Sequence, residues 1–407
     1  MMSYFIDFFV CIYFVMAISA TGTTAIEAIV ALIITILIII KKKGIISISH
    51  KPLKWLILFL CGVTIEIIIS GNIPITYVLN RYSMFLPIVL FSYYKDNFNR
   101  KRMLNLSLLI FTMVSVYAIY LMGTGKMDAR YLAAHEQTSI PFSGGGYALA
   151  VAAALLAVFL LDDYLWKDNR NLFSIFFVVL FGVVVILTQS TTTIIVMFLG
   201  IISSLLLYIF SVSSFININK RQALGIMALG VVCILLMAMK GIIGNFIIDL
   251  SIKGTGILSR RLAEFGYLLS GGSGITVNTS DSADRMSRLI NSALTFLKHP
   301  IFGVTSVVGT AHFLQVEYGV GSHGEFLDSL ARFGLLAGVP FISIFMSGII
   351  AERKSQKRKI GLGYVITFAG LFALNPCLYT SLNCVLFFII PMITLERWRS
   401  KRPEMEN

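Results

Sequence analysis

Long apolar runs recur along this chain from its first residues almost to its last, separated by short polar stretches and by one long one. Many of the runs reach about 17–25 residues, enough for an α-helix rising 1.5 Å per residue to cross a hydrocarbon core of roughly 30 Å. They predict membrane-spanning helices over residues 3–20, 25–40, 53–70, 74–93, 104–122, 145–161, 172–187, 191–210, 223–243, 326–349, 361–377 and 382–395. That makes twelve spans, the last two being the least separable. The first run lacks a basic flank and a small-residue cleavage site, so it reads as a span and not as a cleaved leader. No repeat with a period of 20–50 residues is present.

Composition agrees with this pattern. Apolar residues make up 57% of the chain and charged residues 13%, with a mean hydropathy of +0.86. The net charge of +13 could point to nucleic acid, but its distribution points elsewhere. Twenty-two of the 33 basic residues fall in the stretches 41–54, 95–102, 167–170, 220–221, 353–359 and 397–402, each after an even-numbered span. Basic residues collect on the cytoplasmic side of membrane proteins, so both termini are expected there, and no nucleic-acid partner is expected. The five cysteines lie in or beside predicted spans without metal-ligand spacing, and read as small apolar residues.

Three regions follow. Residues 1–243 carry spans one to nine, with an outer loop over 123–144. Residues 244–325 form a large extracytoplasmic loop of about eighty residues. Residues 326–407 carry spans ten to twelve and a cytoplasmic tail. The large loop predicts an interfacial amphipathic helix over 257–269 and a Gly-rich joint over 270–274. That joint lacks the strand and lysine of a phosphate loop. A second helix is predicted from Asp281 to Lys298, capped by Asp281 or Ser282 and ended by Pro300 and Gly303.

Candidate chemistry gathers on the outer side. Arg285 and Arg288, three apart, share a helix face and could clamp a pyrophosphate or carboxylate, because the planar guanidinium binds such oxygens in pairs. Arg130 lies in the smaller outer loop. Arg81 sits about eight residues inside span four, roughly 12 Å deep, where a charge faces a partner or a polar cavity. Either an ion pair with Glu66 or a cationic wall for a lipid headgroup explains it. Ser322 and Glu325 spell a capping box at the start of span ten, which gives Glu325 a structural reading beside a catalytic one. His323, at the same helix start, is disfavoured as imidazolium and is suited to accept a proton. Asp328 and Arg332 are spaced as an ion pair on that helix. His135, His299 and His312 read as ordinary loop residues.

Two stretches between Asp284 and Gly338 carry a resemblance. Arg285 followed by Lys298-His299-Pro300-Ile301-Phe302-Gly303 resembles an Arg…His/Asn-Pro-x-x-Gly segment. His323-Gly324-Glu325-Phe326-Leu327-Asp328-Ser329-Leu330-Ala331-Arg332-Phe333-Gly334 resembles a His-Asn/Ser-x-aromatic-Leu-x-x-Leu-x-x-x-Gly segment. Both belong to the O-antigen ligase and polymerase (Wzy-type) family of bacterial membrane glycosyltransferases. Gly324 departs from the usual Asn or Ser, and Ala337 stands where a second Gly often follows.

The resemblance implies an all-α, GT-C-like polytopic fold in the bacterial cytoplasmic membrane, using polyprenyl-pyrophosphate-linked oligosaccharides with no metal or other cofactor. It implies Arg285 as the pyrophosphate ligand and His323 as the catalytic or acceptor-orienting residue. Glu325 is a further catalytic candidate, and Arg288, Arg130 and Arg81 are further pyrophosphate ligands on physical grounds. The expected activity is an O-antigen, capsule or exopolysaccharide polymerase, with membrane lipids, a chain-length regulator and a flippase as partners. The alternatives are a ligase of the same family, delivering glycan to a lipid or protein, and a lipid-linked oligosaccharide flippase.

Overall fold

The computed structural model describes residues 2–21, 24–42, 51–70, 75–127, 145–166, 172–212, 245, 248–249, 263, 280–304, 320–321, 324–355, 362–375, 377 and 379–400. Span nine lies outside these residues, as do most of the two outer loops and, but for Ala263, the amphipathic helix expected over 257–269. The described chain is helical throughout, with no strand. Its helices are α1 (Met2–Ser19), α2 (Thr24–Lys41), α3 (Lys51–Ser70), α4 (Ile75–Tyr94), α5 (Arg100–Gly123) and α6 (Tyr147–Trp166). They continue with α7 (Leu172–Leu187), α8 (Thr191–Val212), α9 (Ser280–Lys298), α10 (Glu325–Ser355) and α11 (Leu362–Leu374). A last run, α12, joins Thr380–Cys384 to Ile390–Ser400 through one π-helical turn, Val385–Ile389. Helix α9 begins at Ser280, so Asp281 and Ser282 lie inside it and neither is its cap.

Among the described residues, six helices are long and apolar enough to cross a membrane: Met2–Ser19, Arg100–Gly123, Tyr147–Trp166, Thr191–Ile209, Glu325–Ile349 and Thr380–Arg397. The chain is therefore a membrane-embedded helical protein. Helix α6 is its axis: every residue from Leu149 to Asp163 is buried, and neighbours α7, α8, α11 and α12 pack around it. Its alanines allow that crowding, because small side chains let helix backbones approach closely in lipid. The outer helices bury one face and expose the other, as Leu109, Met113 and Val116 do on α5.

The end of the bundle that carries Lys41 is tied by polar side chains. The Asp7 carboxylate accepts from Tyr94 Oη at 2.5 Å and from Asn99 Nδ2 at 2.8 Å. Arg100 pairs with Glu396, and Arg397 with Asp163, while Asp162 accepts the Tyr364 N–H at 2.9 Å at the start of α11. These contacts join α1 to α4 and α5, α5 to α12, and α6 to α11 and α12.

Helix α10 is the unusual element. Gly334 has φ 56° and ψ −156°, which breaks the helix nine residues after its start. The groups freed by the break are taken up by the turn that follows α9. Leu335 N–H donates to Pro300 O at 2.8 Å, Leu336 N–H to Ile301 O at 3.1 Å, and Val304 N–H to Ala331 O at 3.0 Å. An open backbone group in hydrocarbon costs several kcal/mol, so such a break persists only when protein fills it. The fit requires two glycines. A Cβ on Gly303 would lie 2.5 Å from Arg332 O, and one on Gly334 would lie 2.6 Å from Gly303 N. Phe333 anchors the break in a buried aromatic cluster, 5.2 Å from Phe59 and 5.4 Å from Phe341. One turn further on, α10 crosses α3 where Gly62 faces Ala337, and a Cβ on Gly62 would lie 3.0 Å from that of Ala337.

Substituting Gly334 tests this account. The backbone it adopts is nearly restricted to glycine and costs other residues of order 1–3 kcal/mol, before any clash with the turn. Gly334→Ala is expected to lower thermal stability in detergent micelles clearly. Gly123→Ala, with no atom within 4 Å of the added methyl group, is expected to leave it unchanged. Equal melting temperatures for the two variants would overturn the argument.

Candidate functional site

The break leaves Glu325 to Phe333 as a short helix whose first turn enters the other end of the bundle. Glu325, Asp328 and Arg332, at spacings of three and seven, share one face of it. Glu325 is buried, and it holds the connection between α11 and α12 in two ways. Its N–H donates to Asn375 O at 3.2 Å, and its Oε2 accepts the Cys377 N–H at 2.8 Å. The remaining oxygen, Oε1, is buried without a hydrogen bond.

Asp328 is buried as well and belongs to a different set of contacts. Its Oδ1 accepts from Ser292 Oγ at 2.6 Å and its Oδ2 from Gly324 N–H at 3.0 Å. Ser292 Oγ in turn accepts the Gly321 N–H at 2.8 Å. One carboxylate thus joins α9, α10 and the backbone on both sides of Ser322 and His323. The close quarters also explain the glycines. A Cβ at 321 would lie 2.6 Å from Arg288 C, and one at 324 would lie 2.5 Å from Ala373 O. Gly324 departs from Asn or Ser because α11 leaves no room there for a side chain.

One expectation is corrected here. Asp328 and Arg332 do not pair: both oxygens of Asp328 are engaged, and the Arg332 guanidinium lies 5.9 Å from the Phe333 ring centre. The expected capping box lies partly outside the described residues, at Ser322; within them, the Glu325 carboxylate is taken up by Cys377, across the fold, and Asp328 reaches back to the helix start.

The other candidates are placed as follows. Arg81 is half-buried on α4, with Nη1 3.6 Å from Met84 Sδ, and Glu66 is buried on α3. Arg288 is half-buried on α9, one turn before Ser292. Arg285 lies on the same helix one turn earlier. The positions of His323 and Arg130 and the side chain of Arg285 lie outside the described residues. The structure therefore places Glu325 and Arg332 on one face of α10, beside the helix that carries Arg288 and Arg285.

Several site residues were not apparent from the chain. Asn375 is buried, and its Oδ1 accepts from Tyr147 Oη at 2.6 Å, 228 positions away in sequence. Its Nδ2 is buried without a hydrogen bond. Tyr147 and Tyr379 meet edge to face at 6.5 Å. Ser292 had a usable signal, because it lies four residues after Arg288 and seven after Arg285, on their face. Among the described residues no three His, Cys, Asp or Glu side chains are arranged to hold a metal ion.

Comparison with protein-family models finds no match for this chain, and comparison with curated proteins finds none.

The Ser292–Asp328 bond is charge-assisted and buried, and worth about 1.5–3 kcal/mol on general grounds. A double-mutant cycle with Ser292→Ala and Asp328→Asn, read by equilibrium unfolding in bicelles, is expected to show coupling of order 1 kcal/mol or more. Strict additivity would mean that the two residues do not act on one another.

Proposed function

We propose that the chain is a membrane glycosyltransferase of the Wzy type, a polymerase that transfers a growing glycan from its polyprenyl pyrophosphate to a lipid-linked repeat unit. The reading includes a GT-C-like fold of twelve spans in a bacterial cytoplasmic membrane, with both termini cytoplasmic and the site facing outward. One observation supports it above the others. The two stretches that carry the resemblance, separated by residues 304–322, meet at Gly303 and Gly334 and form one structural unit. A pattern arising by chance has no reason to close on itself in space.

In this reading an acceptor hydroxyl oxygen forms a bond to the anomeric carbon as that carbon's bond to the pyrophosphate oxygen breaks. The leaving group carries away the bonding electrons, and arginines that meet its developing charge lower the barrier. Arg285 is assigned that task, with Arg288, Arg81 and Arg130 in support. His323 takes or orients the acceptor proton. Glu325 holds the backbone at Cys377 against the site.

Deleting the gene and examining the glycan tests the activity. A polymerase null is expected to leave single repeat units where polymer stood. Full-length polymer retained on its lipid carrier would identify a ligase, and subunits trapped inside the membrane would identify a flippase. For the site, Arg285→Ala and His323→Ala are each expected to abolish chain growth at unchanged membrane abundance. Arg285→Lys is expected to rescue poorly, because an ammonium cannot reproduce bidentate binding. Normal chain lengths in either alanine variant would remove that residue from the mechanism.

A further inference from the structure

Helix α9 has its polarity reversed with respect to the protein. Ser292 and Thr295, which face α10, are buried, whereas Ile290 and Leu297 are 50% and 70% exposed. Ile290, Leu294 and Leu297, spaced i, i+4 and i+7, form an apolar stripe about two turns long on the outward side, with Leu294 half-buried between the other two. The turn that follows extends it, with Ile301 58% and Phe302 41% exposed. A helix at a protein–water boundary places these residues the other way round. The strip is crossed by the exposed Lys298 and His299, whose polar ends can reach the headgroups, and its apolar remainder requires an apolar cover.

The backbone contacts indicate what the cover is. Pro300 and Ile301 are hydrogen-bonded to Leu335 and Leu336 of α10, so the strip joins the outward face of a membrane-spanning helix. On that face Leu335, Val339 and Met346 are 48%, 43% and 47% exposed. The two apolar surfaces are continuous, and the second belongs to a span whose exposed side meets acyl chains. We infer that the C-terminal half of α9 and the Pro300–Val304 turn are inserted into the leaflet on the Glu325 side, with Leu297, Ile301 and Phe302 in contact with lipid chains. The inference stands apart from any enzymatic reading. It makes α9 a membrane-seated element and not part of a free soluble loop.

Tryptophan reporters test it in the full-length protein. Leu297→Trp and Ile301→Trp replace exposed side chains, so folding is expected to tolerate both. Each variant is reconstituted into phosphatidylcholine vesicles with or without brominated acyl chains, with iodide supplied on both sides. The signal is the emission added over the parent, which has three tryptophans. Brominated chains are expected to quench most of the added emission at both positions, and iodide little of it. Phe98→Trp, at a side chain 97% exposed between α4 and α5, is expected to show the reverse. Iodide quenching at Leu297→Trp or Ile301→Trp would place the strip in water. Resistance to both quenchers would mean that protein, a second copy or another chain, covers it. Either result overturns the inference.

Discussion

The structure depends on a broken helix being closed by a piece of chain that is not its own. At Gly334 the α10 ladder opens, and the backbone of residues 300–304 fills the gap with three hydrogen bonds. In water those groups would be solvated at little cost, but in hydrocarbon they have no such recourse. Everything at the Glu325 end follows from this. The break frees Glu325 to Phe333 to take their own direction, and the inserted turn fixes where α9 lies. Ser292 of one stretch and Asp328 of the other then fall on facing surfaces.

The two ends of the bundle are held by different means. At the Lys41 end charged side chains pair across helix termini, in a zone where basic residues are plentiful. At the Glu325 end the ties run from carboxylates to backbone N–H groups and hydroxyls: Glu325 to Cys377, and Asp328 to Gly324 and Ser292. Carboxylates used in this way set the course of the chain rather than neutralise charge. They frame the positions flanking His323 and the connection that carries Cys377 and Tyr379. Among the described residues, Asn375 Nδ2 and Glu325 Oε1 are each buried without a hydrogen bond.

Much of the architecture was legible in the chain because lipid makes heavy demands on sequence. A run such as 104–122 has few alternatives to a helix, and α5 formed there. Helix α9 was legible from its polar start and from Pro300 and Gly303 at its stop. The break in α10 was not legible, since one glycine within an apolar helical run has the same appearance whether the helix continues or turns. The partner of Glu325 was hidden for a related reason. Ser-x-x-Glu points to a local contact, and nothing local points to the tertiary donor, the Cys377 N–H, that the carboxylate accepts. The Tyr147–Asn375 bond joins positions that no local pattern connects. Gly324 stood out only as a departure from Asn or Ser, and the packing of α11 against it was not visible in the chain.

The shared backbone of α10 and the 300–304 turn also bears on how the chain enters its membrane. Leu335, Leu336 and Ala331 have their partners upstream, already synthesised when α10 leaves the ribosome. If α10 settled into lipid before the turn docked, it would carry bare amides and a bare carbonyl into the hydrocarbon. Seating this span is therefore coupled to docking of the segment that precedes it.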